Sequence, residues 1–255
     1  MNMDKLFNDL QDNTSGELYE ELAPLYEFIY SRHYNYKNQK ELIDNISTEN
    51  TTTILEGACG TGKLTELLVS DYDNVISVDY SKGMISQAKQ NVPNGNFIQE
   101  DLEHIDINKN IDLYSILGTS IIHMTDDSKF KNVANKAYDM LNKNGSFVFD
   151  FMKLSSMDNG NTGEDKFFGD DYTVIRKHLT TQMDGNKFRF NFSFKIIDND
   201  TNKFVRTSES ILMKAFEVKR LTNLLYDIGF DMVEFKSSPK NPYGPEIEDV
   251  IIATK

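Results

Sequence analysis

Apolar positions along this chain switch repeatedly between two periods. Short continuous apolar runs alternate with stretches whose apolar residues recur every three or four positions, which predicts strands alternating with helices. In the first full unit, Thr53, Ile54 and Leu55 open a run of the β-branched and aliphatic type that fills a buried parallel strand. A glycine corner follows at Gly57, Gly60 and Gly62, and Leu64, Leu67 and Leu68 then take helical spacing. The stretch NVISVDYSKGMISQAKQ predicts a second strand ending at Asp79 and a helix from Ser81, a suitable N-cap, with Met84, Ile85 and Ala88 as its buried stripe. Residues 96–99 and 111–116 read as the third and fourth strands. Thr125 is predicted to cap a helix that carries Asp126 and Asp127 in its first turn and runs to Asn142. Asn144-Gly145 reads as a turn and SFVFDF as the fifth strand. Near the end, residues 217–228 predict an amphipathic helix stopped by Gly229, and FDMVEFKS and IEDVIIATK two last strands.

Two regions depart from this alternation. Residues 16–47 predict two helices, with Pro24 at a helix start or kink. They are rich in tyrosine (Tyr19, Tyr26, Tyr30, Tyr34, Tyr36), as expected of an amphipathic lid whose rings pack on the core and whose hydroxyls reach water. For Tyr19 and Tyr34 that packing role is the expectation. Residues 153–168 are polar and Gly/Asn-rich and read as a loop. Strict alternation then covers 172–181, 187–197 and 203–214, joined by Asp184-Gly185 and an Asp-Asn-Asp-Thr-Asn turn, which predicts a three-stranded antiparallel meander. Phe188, Phe190, Phe192 and Phe194 fall on one face of it and require a partner surface: the main body of the chain, the active site, or a second copy in a homodimer. No repeat, linker or low-complexity boundary divides the chain, so a single domain over 1–255 is expected. In it, 16–47 form the lid, 48–152 and 215–255 the cofactor-binding core, and 153–214 the inserted loop and meander.

Composition narrows the function classes. A chain of 255 residues with 39% hydrophobic and 11% aromatic content can bury a full core. A net charge of −13 argues against a broad nucleic-acid footprint, which needs clustered Lys and Arg. The single cysteine, Cys59, excludes an intramolecular disulfide and a cysteine-cluster metal site, and no metal is expected. The opening MNMDKLFNDL has no apolar core and no long apolar run follows, so the expectation is a cytoplasmic protein without a membrane span.

Strand, glycine corner and helix form the usual device for holding a nucleotide-like ligand at a sheet edge, because the backbone can come close and the helix N-terminus offers free N–H groups. Spacing separates the ligand classes. A phosphate-binding loop fits from Gly57 to Lys63 but then needs a hydroxyl for Mg²⁺ and finds Leu64. A dinucleotide fingerprint starting at Gly60 finds Thr65 at its third glycine. Neither accounts for Glu56 before the corner. A carboxylate there, with Asp79 ending the next strand about 20 residues on, suits a ligand with a cationic amino-acid tail and a ribose diol, as in S-adenosylmethionine.

ILEGACGTG resembles motif I, [DE]-x-G-x-G-x-G, of the class I S-adenosylmethionine-dependent methyltransferases. Glu56 is its acid, Ala58 replaces the first glycine, and Gly60 and Gly62 match. The Ala-Cys-Gly-Thr-Gly form resembles the small-molecule branch that includes the amino-sugar N,N-dimethyltransferases. The pattern D-x-S-x-x-M-[LI]-x-x-A-[KR] is met by Asp79, Ser81, Met84, Ile85, Ala88 and Lys89, and LYEFIY is similar to the LYD-x-x-Y element of that branch, with Glu27 in place of its Asp. The resemblance covers nearly the whole chain. It implies an α/β, Rossmann-like seven-stranded methyltransferase sheet with helices on both faces, the N-terminal helical lid and the inserted antiparallel meander.

For the site, the resemblance implies S-adenosylmethionine as cofactor, with S-adenosylhomocysteine as product. Its expected contacts are Glu56, Gly57, Ala58, Gly60, Gly62, Asp79, Tyr80, Met84, Asp101 (adenine amino group), Leu102, Leu117 (methionine part), and Tyr36 or Arg32 at the carboxylate. Tyr30 is the expected substrate-side residue. His123 alone is an ordinary histidine in an apolar run, but similarity of its surroundings to the S-S-I-G-H-M loop of the amino-sugar enzymes implies a functional role. His104, in a charged loop, reads as solvated, and Cys59 as a backbone element of the corner. Tyr30 and His123 form the expected catalytic pair for methylating a small-molecule amine, which must lose a proton. Methylation of tRNA or protein, or cofactor binding without transfer, are the alternatives. Against base methylation, no [DN]-P-P-[YF] follows the fourth strand, where Leu117-Gly118-Thr119-Ser120 stands.

Overall fold

The computed structural model describes residues 3–12, 16–32, 34–107, 110–237 and 249–255. Its frame is a seven-stranded sheet of β1 (Thr53–Gly57), β2 (Asn74–Asp79), β3 (Asn96–Gln99), β4 (Ile111–Ile116), β5 (Leu141–Phe151), β10 (Met232–Lys236) and β11 (Asp249–Thr254). The spatial order is β10-β11-β5-β4-β1-β2-β3. β1 to β5 pair in parallel, and β11 runs antiparallel to both its neighbours. The order reverses between β1 and β4, which opens a crevice at their carboxyl ends.

Alternation along the strands explains the two covered faces. Leu55, Tyr114, Ile116, Phe147, Phe149 and Ile251 turn to one side and pack with residues of α6 (Asp127–Met140) and α7 (Val218–Ile228). Ile54, Val75, Leu113, Val148 and Ile252 turn to the other and meet α3 (Tyr36–Ile46) and α4 (Lys63–Leu68). α5 (Lys82–Asn91) is capped as expected, with Ser81 Oγ accepting from the Met84 N–H at 3.0 Å. Gly229, at φ 121°, ends α7.

A second, four-stranded antiparallel sheet consists of β6 (Thr162–Phe168), β7 (Tyr172–Gln182), β8 (Lys187–Asp198) and β9 (Phe204–Lys214) in sequence order. β6 corrects the expected loop over 153–168. Its sequence, TGEDKFF, has no apolar alternation, because most of its side chains stay at least partly exposed and its ladder to β7 is made by backbone groups. Phe188, Phe190, Phe192 and Phe194 share one face of β8, as predicted, and they face inward. Phe188 and Phe190 pack with Ile122, Met152 and Met213, while Phe194 packs with Leu6, Phe7, Leu25 and Ile29 of the N-terminal helices. The stripe faces its own chain and, through Phe190 and Phe192, the cavity described below, so it forms no outward apolar face.

The N-terminal region corrects the sequence reading at its start. The predicted pair of helices is α2 (Ala23–Tyr30, with Pro24 in its first turn) and α3, but α1 (Met3–Asp12) precedes them. Leu6, Phe7 and Leu10 of α1 recur at three- and four-residue spacing and lie buried against the second sheet. The helix after the fourth strand is capped by Asp126 rather than Thr125. The Asp126 carboxylate accepts from the Ser128 N–H at 2.8 Å, and the helix stops at Met140, where Leu141 enters β5. Ile247 and Glu248 of the last predicted strand lie outside the described residues. Among the described residues, no helix is long and apolar enough to cross a membrane.

Candidate functional site

The glycine corner carries β1 into α4 with Ala58, Gly60 and Gly62 all at positive φ, 54°, 55° and 77°. Alanine tolerates that region poorly, so Ala58 is strained where the resembling motif has glycine. The glycines serve different ends. A Cβ on Gly57 would lie 2.9 Å from the Tyr114 ring, and one on Gly62 3.1 Å from the Ala88 methyl, so both permit close packing of elements. Gly62 does not reach the cavity described below. Gly60 does, and a Cβ there would have only the Tyr26 ring within 4 Å.

Asp79, at the end of β2, holds the corner open. One carboxylate oxygen accepts from the Gly60 N–H at 2.8 Å and the other from the Ser81 N–H at 2.9 Å. Burial raises its pKa despite these two donors. Glu56 is 3% exposed, and a single oxygen accepts from the Thr65 hydroxyl at 2.5 Å and the Ser77 hydroxyl at 2.8 Å. Burial pushes its pKa up to about 7, with the two hydroxyls opposing.

A cavity of about 680 Å³ opens from this edge. Asp79, Tyr80, Met84, Asp101 and Leu102 line one end. A narrow extension of about 40 Å³ reaches Tyr36, Glu56, Gly57 and Leu117, and shares Tyr26, Tyr34, Ala58, Gly60, Gly118 and Ser120 with the main cavity. Cys59 lies buried beside this extension, with its N–H donating to the Val78 carbonyl at 3.0 Å. The far end is walled by the second sheet (Arg176, His178, Phe190, Phe192, Glu209 and Met213) and by Tyr19, Tyr30 and His123. All predicted site residues but two therefore meet at one connected space. The exceptions are Gly62 and Arg32, whose guanidinium donates to the Phe28 carbonyl at 2.7 Å and the Phe168 carbonyl at 3.1 Å, over the Phe28 ring. His104 stands exposed in its loop.

Tyr19 and Tyr34, expected to serve packing alone, belong to the cavity wall. Tyr19 Oη is 3.1 Å from His123 Nε2, and the two rings meet edge to face. His123 touches the open cavity on one side and protein on the others, and this setting depresses its pKa. The ring is neutral near pH 7. Tyr30 Oη accepts from Arg176 at 3.2 Å, and Arg176 also donates to Asp165 at 2.8 Å. Burial keeps the Tyr30 phenol protonated, with Arg176 pulling its pKa the other way.

Three further residues escaped the sequence reading. Asp150, 3% exposed at the end of β5, accepts from the Gly118 N–H at 3.1 Å and the Thr119 N–H at 2.7 Å, and so shapes the loop that carries His123. Burial raises its pKa to about 7. Arg176 and Glu209 occupy the inward phases of β7 and β9, beside Tyr172 and Val174 in the one and Val205, Ile211 and Met213 in the other. A charge on the inward phase of an alternating strand was the available signal for both, and a carboxylate inside SFVFDF was the signal for Asp150.

The donor set fits S-adenosylmethionine. Three carboxylates stand along the sheet edge, at the narrow extension (Glu56) and at the main cavity (Asp79, Asp101), and Gly60 and Gly118 line both with backbone alone.

Comparison with known proteins agrees with this geometry. Residues 54–145 match the methyltransferase domain family. An uncharacterised methyltransferase of Bacillus cytotoxicus is 31% identical over 139 residues, a match that takes in 52% of this chain and 64% of that protein. Among solved structures, DesVI of Streptomyces venezuelae superposes with a TM-score of 0.82 over 91% of this chain and 97% of its own, at 18% identity. CalS10, an S-adenosylmethionine-bound amino pentose methyltransferase of Micromonospora echinaspora, gives 0.79 over 90% and 96%, at 17% identity. Residues 54–145 thus carry a methyltransferase domain, on the fold these solved methyltransferases share.

Proposed function

We propose that this chain transfers a methyl group from S-adenosylmethionine to the amine nitrogen of a small molecule. The observation that carries this reading is the walled cavity from Asp79 and Asp101 to Tyr19, Tyr30 and His123, with the narrow extension at Glu56 beside it. Its enclosure by the second sheet and the tyrosine-rich helices suits a small acceptor better than a macromolecular one. DesVI and CalS10 lend support, the latter described as acting on an amino pentose.

In this reading Asp79 accepts the ribose hydroxyls, Asp101 the adenine amino group, and Glu56 faces the amino-acid tail with Tyr36 beside it. Bound S-adenosylmethionine supplies an electrophilic methyl group on a sulfonium. The chain's own task is alignment and exclusion of water. Neutral His123 accepts an N–H of the acceptor and leaves the nitrogen lone pair free to attack. Tyr19 holds the ring of His123 in place, and Tyr30, fixed by Arg176, borders the acceptor. The proton shed by the amine leaves through His123 to the open side of the cavity.

Incubating the protein with S-adenosylmethionine and a panel of small amines, amino sugars included, tests this. The expected product carries one added methyl on nitrogen. Methyl found on oxygen or carbon would end the amine reading, and transfer confined to tRNA or protein would end the small-molecule one.

A further inference from the structure

The acceptor end of the cavity has an unusual charge balance. Of the two cations that line the cavity among the described residues, Arg176 is bound to Asp165 at 2.8 Å and Lys129 to Glu103 at 3.3 Å. Both histidines there, His123 and His178, are pushed toward the neutral form by their surroundings. Against these stands the Glu209 carboxylate, on the inward phase of β9, which no cation pairs with among the described residues. It accepts from the Leu18 N–H at 2.9 Å. The surrounding walls are aromatic: Tyr26 lies tilted against Tyr30 with ring centroids 4.4 Å apart, Tyr30 and Tyr34 stack at 5.4 Å, and Phe190 and Phe192 add ring surface from the sheet.

We propose that Glu209 and these rings form a cation-binding subsite, so that the acceptor enters as a free ammonium compound, gives up a proton through His123 before its nitrogen attacks, and is not an amine attached to an anionic nucleoside diphosphate. This rests on the methyl-transfer reading and specifies its substrate class. Ring faces attract ammonium groups, most strongly where water is excluded, and a carboxylate at the wall supplies the counter-charge. A diphosphate would need unpaired cations, and here it would meet Glu209 instead. Burial raises the Glu209 pKa to about 7, the state expected of a carboxylate that gains its partner only when ligand arrives. The same subsite suits a methylated product, which is again cationic.

Calorimetric titration of the whole chain, saturated with S-adenosylhomocysteine, distinguishes the outcomes. Tetramethylammonium serves as the cation probe and uridine diphosphate as the anion probe. Saturable uptake of the cation, at least tenfold weaker in Glu209→Gln and restored in Glu209→Asp, is expected, with no saturable uptake of uridine diphosphate. S-adenosylhomocysteine affinity should be the same in all three proteins. An absent cation signal, equal cation affinity in Glu209→Gln, or tighter binding of uridine diphosphate would overturn the subsite. So would a Glu209→Gln protein that loses S-adenosylhomocysteine as well, since the residue would then serve the fold. Failure of the unaltered protein to bind S-adenosylhomocysteine would instead overturn the methyl-transfer reading.

Discussion

Tyr19 Oη and His123 Nε2 lie 3.1 Å apart and join a turn near the start of the chain to the loop that leaves β4. The contact closes the cavity between lid and sheet. Burial raises the pKa of Tyr19 well above its ordinary value, so the phenol keeps its proton beside a neutral imidazole.

That pairing makes the kinetic prediction specific. His123→Ala should lower the single-turnover rate by about 10²-fold, the low end for a positioned acid–base group, because a ring with a depressed pKa is a weak proton acceptor. Tyr19→Phe and Tyr30→Phe keep their rings and should cost about tenfold or less. Affinity for S-adenosylhomocysteine should change little in any of them. Unaltered rates in all three would remove these side chains from the reaction and leave proton loss to solvent.

Asp79 holds the corner and, in the proposed function, also takes the ribose, so its replacement should show twice. Asp79→Asn keeps one acceptor oxygen but sets an NH₂ against either the Gly60 or the Ser81 N–H. Affinity for S-adenosylmethionine should fall by on the order of 2–3 kcal/mol, measured calorimetrically. Urea unfolding without ligand, run in parallel, reports how much of the change belongs to the corner itself. Unchanged cofactor affinity would contradict the ribose role.

Asp150 should leave a signature in the pH dependence of stability. Burial raises its pKa from 3.8 to about 7, so the folded state binds this proton more tightly than the unfolded chain. Its contribution is present in full below about pH 4 and is lost as pH rises to about 7. Asp150→Asn removes the titration and retains an acceptor toward the loop amides. The stability of the variant relative to the parent should rise across that window, by on the order of 4 kcal/mol, and then level off. Chemical denaturation at several pH values measures the difference, and a flat difference curve would contradict the burial argument.

Ala58 sits at φ 54°. Ala58→Gly removes left-handed strain at the cost of a more flexible unfolded chain, and should stabilise the protein by about 0.5–1 kcal/mol. Urea unfolding midpoints decide this. A destabilised variant would mean that the methyl's packing outweighs the strain.

The sequence by itself determined the sheet and the cofactor edge. Each βα unit is local: the apolar run, the glycines and the capping Ser81 lie within about 35 residues, and strand order follows once successive units are stacked. Asp79 was legible because a carboxylate at a strand end is defined by its own strand. Only the tertiary structure decided what closes the cavity. Tyr19 and His123 are 104 positions apart, and Tyr30 and Arg176 146 positions apart, and no local pattern relates them. Likewise, β6 exists because β7 offers it a backbone edge, and the direction of the Phe188–Phe194 stripe was fixed by where the N-terminal helices fold back. Periodicity states which residues share a face. What that face meets is set by contacts whose partners are distant in the chain, so the far end of the cavity became readable only once lid and second sheet were in place.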